Sequence, residues 1–178
     1  MAEKTLISVV GPTAIGKTSL AIKLALHFDT EIISADSRQF YREMSIGTAV
    51  PSEEELAAAP HHFIQHISVE EEYSVGDFER EALIKLSRLF AEKDVVVMAG
   101  GSGLYIKSIT EGLDDFPAVA PEVREELNNI FQIQGIESLQ ELLEKLDPEY
   151  YKKVDRENPH RLIRALEIFV GTGKTYSS

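Results

Sequence analysis

The stretch Thr5-Leu-Ile-Ser-Val-Val-Gly-Pro-Thr-Ala-Ile-Gly-Lys-Thr18 decides the fold. Its first six residues form a short apolar run, the pattern of a strand buried on both faces of a parallel sheet. Gly11, Pro12, Thr13, Ala14, Ile15, Gly16, Lys17 and Thr18 then satisfy G-x-x-x-x-G-K-[ST] in full. Glycines in such a loop let backbone N–H groups converge on phosphate oxygens with no Cβ in the way. A helix beginning at the end of the loop adds its positive dipole end. Lys17 contributes a point charge, and the Thr18 hydroxyl can hold a magnesium ion. The alternative, a glycine-rich turn with no ligand, is the weaker reading because both the strand before the motif and the helix after it are in place. The pattern specifies a diphosphate- or nucleotide-binding loop without choosing between the two.

Working outward, 19–28 has helical spacing, with Leu20, Leu24 and Phe28 expected on its buried face. A second short strand is expected at 31–34. Ser74 and Asp77 form a capping-box start for a helix over 75–91, with Val75, Phe78, Ala82, Leu86 and Leu89 as its apolar face. A third strand is expected at 94–98 and a helix at 102–110. Strand–helix alternation of this kind predicts an α/β sheet with helices on both faces. Beyond Leu113 no strand is needed. Helices are expected over 121–134, 138–145, 148–153 and 158–170, the last opened by Asn158 as N-cap and Pro159 at its first position. The predicted organisation is an α/β core over 1–113 and a helical lobe over 114–178, its last helix returning to the core. Three strands are few for an open sheet of this class, so later strands are expected beyond residue 178.

The chain of 178 residues contains no cysteine, which removes disulfides, thiolate nucleophiles and Cys-based metal sites. No apolar run approaches a membrane span, and residues 1–4 lead straight into a strand without a signal-peptide pattern. A cytoplasmic protein without membrane association is expected. The net charge of −12 does not suit a general nucleic-acid binder. Any such role must come from a local patch, and Lys152, Lys153, Arg156, Arg161 and Arg164 supply one, opposed only by Asp155 and Glu157. The acidic runs 53–55 and 70–72 read as solvated loops.

Asp36 follows the second strand, so it faces the ligand crevice at the carboxyl ends of the sheet. It reads as a general base, a magnesium partner, or a residue that only caps the next turn. The third strand ends in Gly100-Gly101-Ser102-Gly103 with no acidic residue at its tip, which weakens a nucleotide-hydrolysing reading. This run is either a second close-approach loop or a tight strand-to-helix turn. His61, His62 and His66 include an i, i+4 pair, for which ordinary packing is a simpler account than zinc. Arg161 and Arg164 share one helix face, beside His160, and suit either a phosphate clamp or solvated pairing with Glu157 or Glu167. Gly171 to Thr175 imitates the end of a phosphate loop but follows a helix, and Gly171 reads as its C-cap.

Taken jointly, these segments resemble the tRNA dimethylallyltransferase (tRNA isopentenyltransferase) family. The resemblance is carried by 11–18; by Ile33-Ser-Ala-Asp36-Ser-Arg-Gln39 with Tyr41; by Met44-Ser-Ile-Gly-Thr-Ala49 and Pro51; by His61-His62; by Tyr73-Ser-Val-Gly-Asp-Phe78; by Gly100-Gly-Ser-Gly-Leu-Tyr105; by Glu111-Gly-Leu113; and by Pro159-His-Arg-Leu-Ile-Arg-Ala-Leu-Glu167. It implies a P-loop NTPase-like parallel-sheet core with a helical insertion lobe. It also implies transfer of a dimethylallyl group from its diphosphate to the exocyclic amine of the adenosine 3′ of the anticodon. Asp36 would be the base; Lys17, Thr18 and magnesium would meet the diphosphate. Asp36, Ser37, Arg38, Gln39, Ser102, Arg124, His160, Arg161, Leu162, Ile163 and Arg164 would meet the tRNA anticodon stem-loop. A monomer is expected. Ser102 stands where the family commonly has Thr, which keeps the hydroxyl. The family is considerably longer, so a C-terminally truncated chain is expected. Two other readings stay open: a small-molecule P-loop enzyme, such as an adenylate isopentenyltransferase or a metabolite kinase, and a non-catalytic tRNA-binding module.

Overall fold

The computed structural model describes residues 3–113 and 119–178. The chain divides into two compact units, Met1–Leu113 and Asp114–Ser178.

The first unit is built on a parallel sheet of β1 (Thr5–Val10), β2 (Ile32–Ser34), β3 (His61–His62) and β4 (Val95–Gly100), in the order β1-β4-β2-β3. Because side chains alternate along a strand, neighbouring apolar residues serve opposite faces. Val97 and Ile32 pack with Ala21, Ile22 and Ala25 of α1 (Lys17–His27). Val96, Met98 and Ile33 pack with Phe78, Ala82, Leu86 and Leu89 of α3 (Val75–Glu92) and with Tyr105, Ile106 and Ile109 of α4 (Gly103–Thr110). The continuous apolar runs of the sequence thus reflect a sheet covered on both sides.

The helix after the phosphate loop buries a different face from the one its large residues mark. Leu20 and Phe28 are 50% and 39% exposed, and Leu24 is only partly buried, while Ala21 and Ala25 are fully covered. Small residues let the helix lie close to the sheet, so the close-packed stripe is the alanine one. Glu53, Glu54 and Glu55 do not form a loop. They are the first turn of α2 (Glu53–Ala58), where Ser52 Oγ accepts from Glu55 N at 3.2 Å and Ser52 N donates to Glu55 Oε2 at 2.9 Å. Acidic side chains at a helix N-terminus complete a capping box and complement the dipole.

His61, His62 and His66 make local strand and packing contacts. His61 and His62 form β3, with His62 against Glu31 and His61 Nδ1 2.8 Å from Ala59 O. Among the described residues no group of three or more potential ligands could hold a metal. His66 lies edge-on to Phe40, Phe63 and Tyr73 at 5.3–5.4 Å, and neither ring nitrogen has a hydrogen-bond partner. Burial holds the imidazoles of His61 and His66 below their usual range. A group whose folded pKa is depressed in this way is protonated more readily in the unfolded chain. Stability is therefore expected to fall as pH drops below about 6.5, the unfolded histidine value. His66→Phe should flatten that decline, as read by thermal unfolding between pH 7.5 and 5. An unchanged slope would reject the assignment to His66.

The second unit is helical: α5 (Pro121–Gln134), α6 (Ile136–Leu146), α7 (Pro148–Tyr151) and α8 (Pro159–Thr172). Leu127, Leu139, Leu143, Leu162, Ile163, Ala165 and Leu166 form its core. Asn158 caps α8 through Arg161 N, at 3.3 Å. The helix runs past Gly171 and ends at Gly173, whose left-handed backbone (φ 73°) and N–H to Phe169 O make the C-cap. Gly171 is helical, and a Cβ there would meet Val119 Cγ1 at 2.3 Å, so close packing is what its lack of a side chain serves.

Candidate functional site

Three strand ends meet in the first unit. β1 leads into the loop from Gly11 to Gly16, and Gly16 (φ 95°) is the N-cap of α1. β2 leads into Ala35 and Asp36, and β4, between them in the sheet, leads into Gly101. A methyl added at Gly101 would stand 3.4 Å from Gly11 O, 3.5 Å from Asp36 Oδ2 and 3.9 Å from Lys17 Nζ. The phosphate loop, one carboxylate and one ammonium therefore approach the same space. Lys17 Nζ donates to Pro12 O at 2.7 Å, folded back over its own loop. Asp36 Oδ1 accepts from Arg38 N at 3.2 Å, so this residue does close the next turn, while its Oδ2 faces Gly101.

Gly100 explains why the strand ends come so close. A Cβ at this position would lie 2.2 Å from Ala35 O and 2.4 Å from Ala35 C, a clash with main chain that no rotamer relieves. The end of β4 is thus tightly packed against the main chain that follows β2. Gly100→Ala is expected to destabilise the protein by about 1–3 kcal/mol, the usual cost of overpacking. It should also push Asp36 away from Gly101. Thermal unfolding checks the first effect; wild-type stability would mean the backbone can yield there.

Ser102 is the residue before α4. Its Oγ accepts from Ser37 N at 3.0 Å and lies 3.1 Å from Ser37 Oγ, tying the two loops together. Arg38 is exposed. Gln39 is buried and bonds within the protein. Its Oε1 accepts from Ser34 Oγ at 3.1 Å, and its Nε2 donates to Thr48 O and Ala49 O at 3.1 and 2.8 Å. This amide braces the loop at 48–49 against β2, which leaves its donors spent on main chain. Behind Lys17, Thr18 and Asp36 a pocket continues along Ala21, Ile32, Pro51, Ile64 and Ala99, with His61 at its wall. The apolar lining was not legible from the sequence, because the residues come from five separate segments with no shared spacing.

In the second unit, His160, Arg161 and Arg164 are exposed on α8. Arg124 and Arg164 both donate to Glu167 Oε2, at 3.4 and 3.1 Å. Leu162 and Ile163, expected among RNA contacts, are 0% and 2% exposed. They lie on the core side of the helix that carries the arginines, so their side chains pack against Leu127 and Leu143 rather than a ligand.

Comparison with known proteins places the chain in a family. The chain is 67% identical over 173 residues to a tRNA dimethylallyltransferase of Christiangramia forsetii, covering 97% of this chain and 57% of that protein. It is 55% identical to the tRNA dimethylallyltransferase of Flavobacterium johnsoniae, covering 98% and 59%. Among solved structures, the tRNA isopentenylpyrophosphate transferase of Bacillus halodurans is 36% identical with a TM-score of 0.59, over 98% of this chain and 57% of that one. A eukaryotic dimethylallyltransferase acting on tRNA is 28% identical with a TM-score of 0.82, over 98% and 44%. The core shares the P-loop NTPase-like fold of these neighbours. The chain spans somewhat over half the length of the curated relatives it matches. Residues 39–178 match the family described as IPP transferase, and the chain belongs to that family.

Proposed function

We propose that the protein transfers a dimethylallyl group from dimethylallyl diphosphate to the N6 amine of the adenosine just 3′ of the anticodon in tRNA, releasing pyrophosphate. The observation that carries this reading is the approach of Lys17 Nζ and Asp36 Oδ2 to one space over Gly101. One group suits a leaving diphosphate and the other a nucleophile's proton. The names of the relatives support the substrate pair.

The diphosphate sits against the backbone N–H groups of residues 13–18, where a glycine-bearing loop opens α1. Lys17 swings from Pro12 O onto it and offsets the charge that gathers as the C–O bond to the allylic carbon breaks. The five-carbon tail points toward the cleft along Ala21, Ile32, Pro51, Ile64 and Ala99, whose void of about 30 Å³ must widen to admit it. The amine attacks the allylic carbon, a new C–N bond forms, and Asp36 Oδ2 takes the proton lost from nitrogen. The Thr18 hydroxyl and Asp36 line the same cleft, and among the described residues no group of three or more such ligands stands ready for a metal. That sparse set fits magnesium, which takes most of its ligands from phosphate and water. When bound through Thr18, magnesium supplies further positive charge on the leaving group. The target base has to leave the anticodon-loop stack. Ser37, Arg38 and Ser102 flank the approach to Asp36, while Arg124, His160, Arg161 and Arg164 contact the RNA backbone, as single-stranded loops are commonly held. The protein works as a cytoplasmic monomer. No described helix is long and apolar enough to cross a membrane.

The test is acceptor choice. Labelled dimethylallyl diphosphate should label tRNA, or an anticodon stem-loop with the adenosine in place, and not AMP. Labelling of AMP alone would move the protein to the small-molecule class.

A further inference from the structure

Glu167 is 6% exposed, in the seam where α5 and α8 pack through Leu127, Ile163 and Leu166. A carboxylate in such a place must be paired. Its Oε2 accepts from Arg164 on the same helix and from Arg124 on the other, while both guanidiniums keep nearly half of their surface. One buried acid therefore holds two half-exposed cations side by side, and the group as a whole carries one net positive charge. Arg161, one turn before Arg164, extends the basic face. A buried ion pair of this kind adds little to stability compared with a well-packed apolar residue. Its clear consequence is geometric, since two like charges with long flexible stems would otherwise separate into solvent.

We propose that Glu167 is a positioning residue that holds Arg124 and Arg164 as a preformed clamp for an RNA phosphate. The inference rests on the proposed tRNA-modifying function and adds a residue that never touches the RNA. Each guanidinium uses one nitrogen on Glu167 and has further donors for phosphate oxygens, to which planar guanidinium forks are well matched. Preorganisation removes the ordering cost that two free arginines would incur on binding.

Charge counting and positioning predict opposite signs, which makes the proposal testable. Glu167→Gln removes a negative charge from a basic face, and by electrostatics alone it should tighten RNA binding and steepen its salt dependence. If Glu167 positions the clamp, the anticodon stem-loop should bind about tenfold more weakly, the loss of roughly one charge-assisted contact. The slope of log K against log salt should flatten by about 0.7–0.9. Arg164→Ala should cost about tenfold in the wild-type background and much less in Glu167→Gln, because the two act through one contact. Glu167→Asp keeps the buried charge and withdraws it by one methylene. It should weaken binding in a protein that still unfolds cooperatively, and it carries the test if Glu167→Gln does not fold. Equal or tighter binding by these variants, or additive losses with Arg164→Ala, would overturn the positioning role alone. A wild-type protein that does not bind the stem-loop would overturn the functional reading with it.

Discussion

Asp36→Asn is expected to slow single-turnover prenyl transfer by about 10²–10⁴-fold, the usual contribution of a general base, with tRNA binding little changed. The substitution separates two roles that the same side chain fills. Its Oδ1 accepts from Arg38 N, and the main chain adds Gln39 N to Asp36 O at 2.9 Å. Asparagine keeps an acceptor for Arg38 N, so the turn should survive. The other oxygen, 3.5 Å from where a Gly101 methyl would be, is the one an amide nitrogen cannot replace as a proton acceptor. If Asp36 only closed the turn, the variant would transfer at the wild-type rate. If it only held magnesium, raising the metal concentration would restore much of the loss. Single-turnover kinetics at several magnesium concentrations, beside a tRNA-binding titration, distinguish the three.

Lys17→Ala is expected to bring dimethylallyl diphosphate binding below detection by calorimetry. Losing a charge-assisted contact to the diphosphate costs about 1.5–3 kcal/mol in the ground state. Losing a donor aimed at developing charge costs about 10²–10³ more in rate. The fold should be indifferent, because the Lys17 ammonium bonds Pro12 O in its own loop, at the surface. A variant with wild-type thermal stability and no diphosphate affinity meets both expectations. Unchanged affinity would remove the phosphate loop from the account.

The strongest sequence signals were those in which one local pattern had one physical outcome. The run 5–18 could hardly be other than strand, loop and helix, and Ser74 with Asp77 made the capping box expected of them. Asn158-Pro159 opened α8. Signals failed where packing chose between equally good local options. β3 is two residues long and polar, so no alternation marks it; it exists because β2 offers a free edge. The face of α1 depends on how near the sheet lies, which favours Ala21 and Ala25 over Leu20 and Phe28. At the candidate site, the phosphate loop and Asp36 were legible from motif and strand position. The brace made by Gln39 was not, since its partners at 48–49 become neighbours only through the turn that follows Asp36. Nor was the pairing of Arg124 with Glu167, 43 residues apart on different helices.

On the proposed reading, the loop and carboxylate meeting over Gly101 carry out prenyl transfer rather than phosphoryl transfer. The direct measurement follows both products of one reaction with dimethylallyl diphosphate and tRNA: nucleosides by mass spectrometry, and released phosphate species by chromatography. One N6-dimethylallyladenosine, at the position 3′ of the anticodon, is expected for each pyrophosphate released, with no orthophosphate. Phosphorylated acceptor, or orthophosphate released without prenylated adenosine, would contradict it.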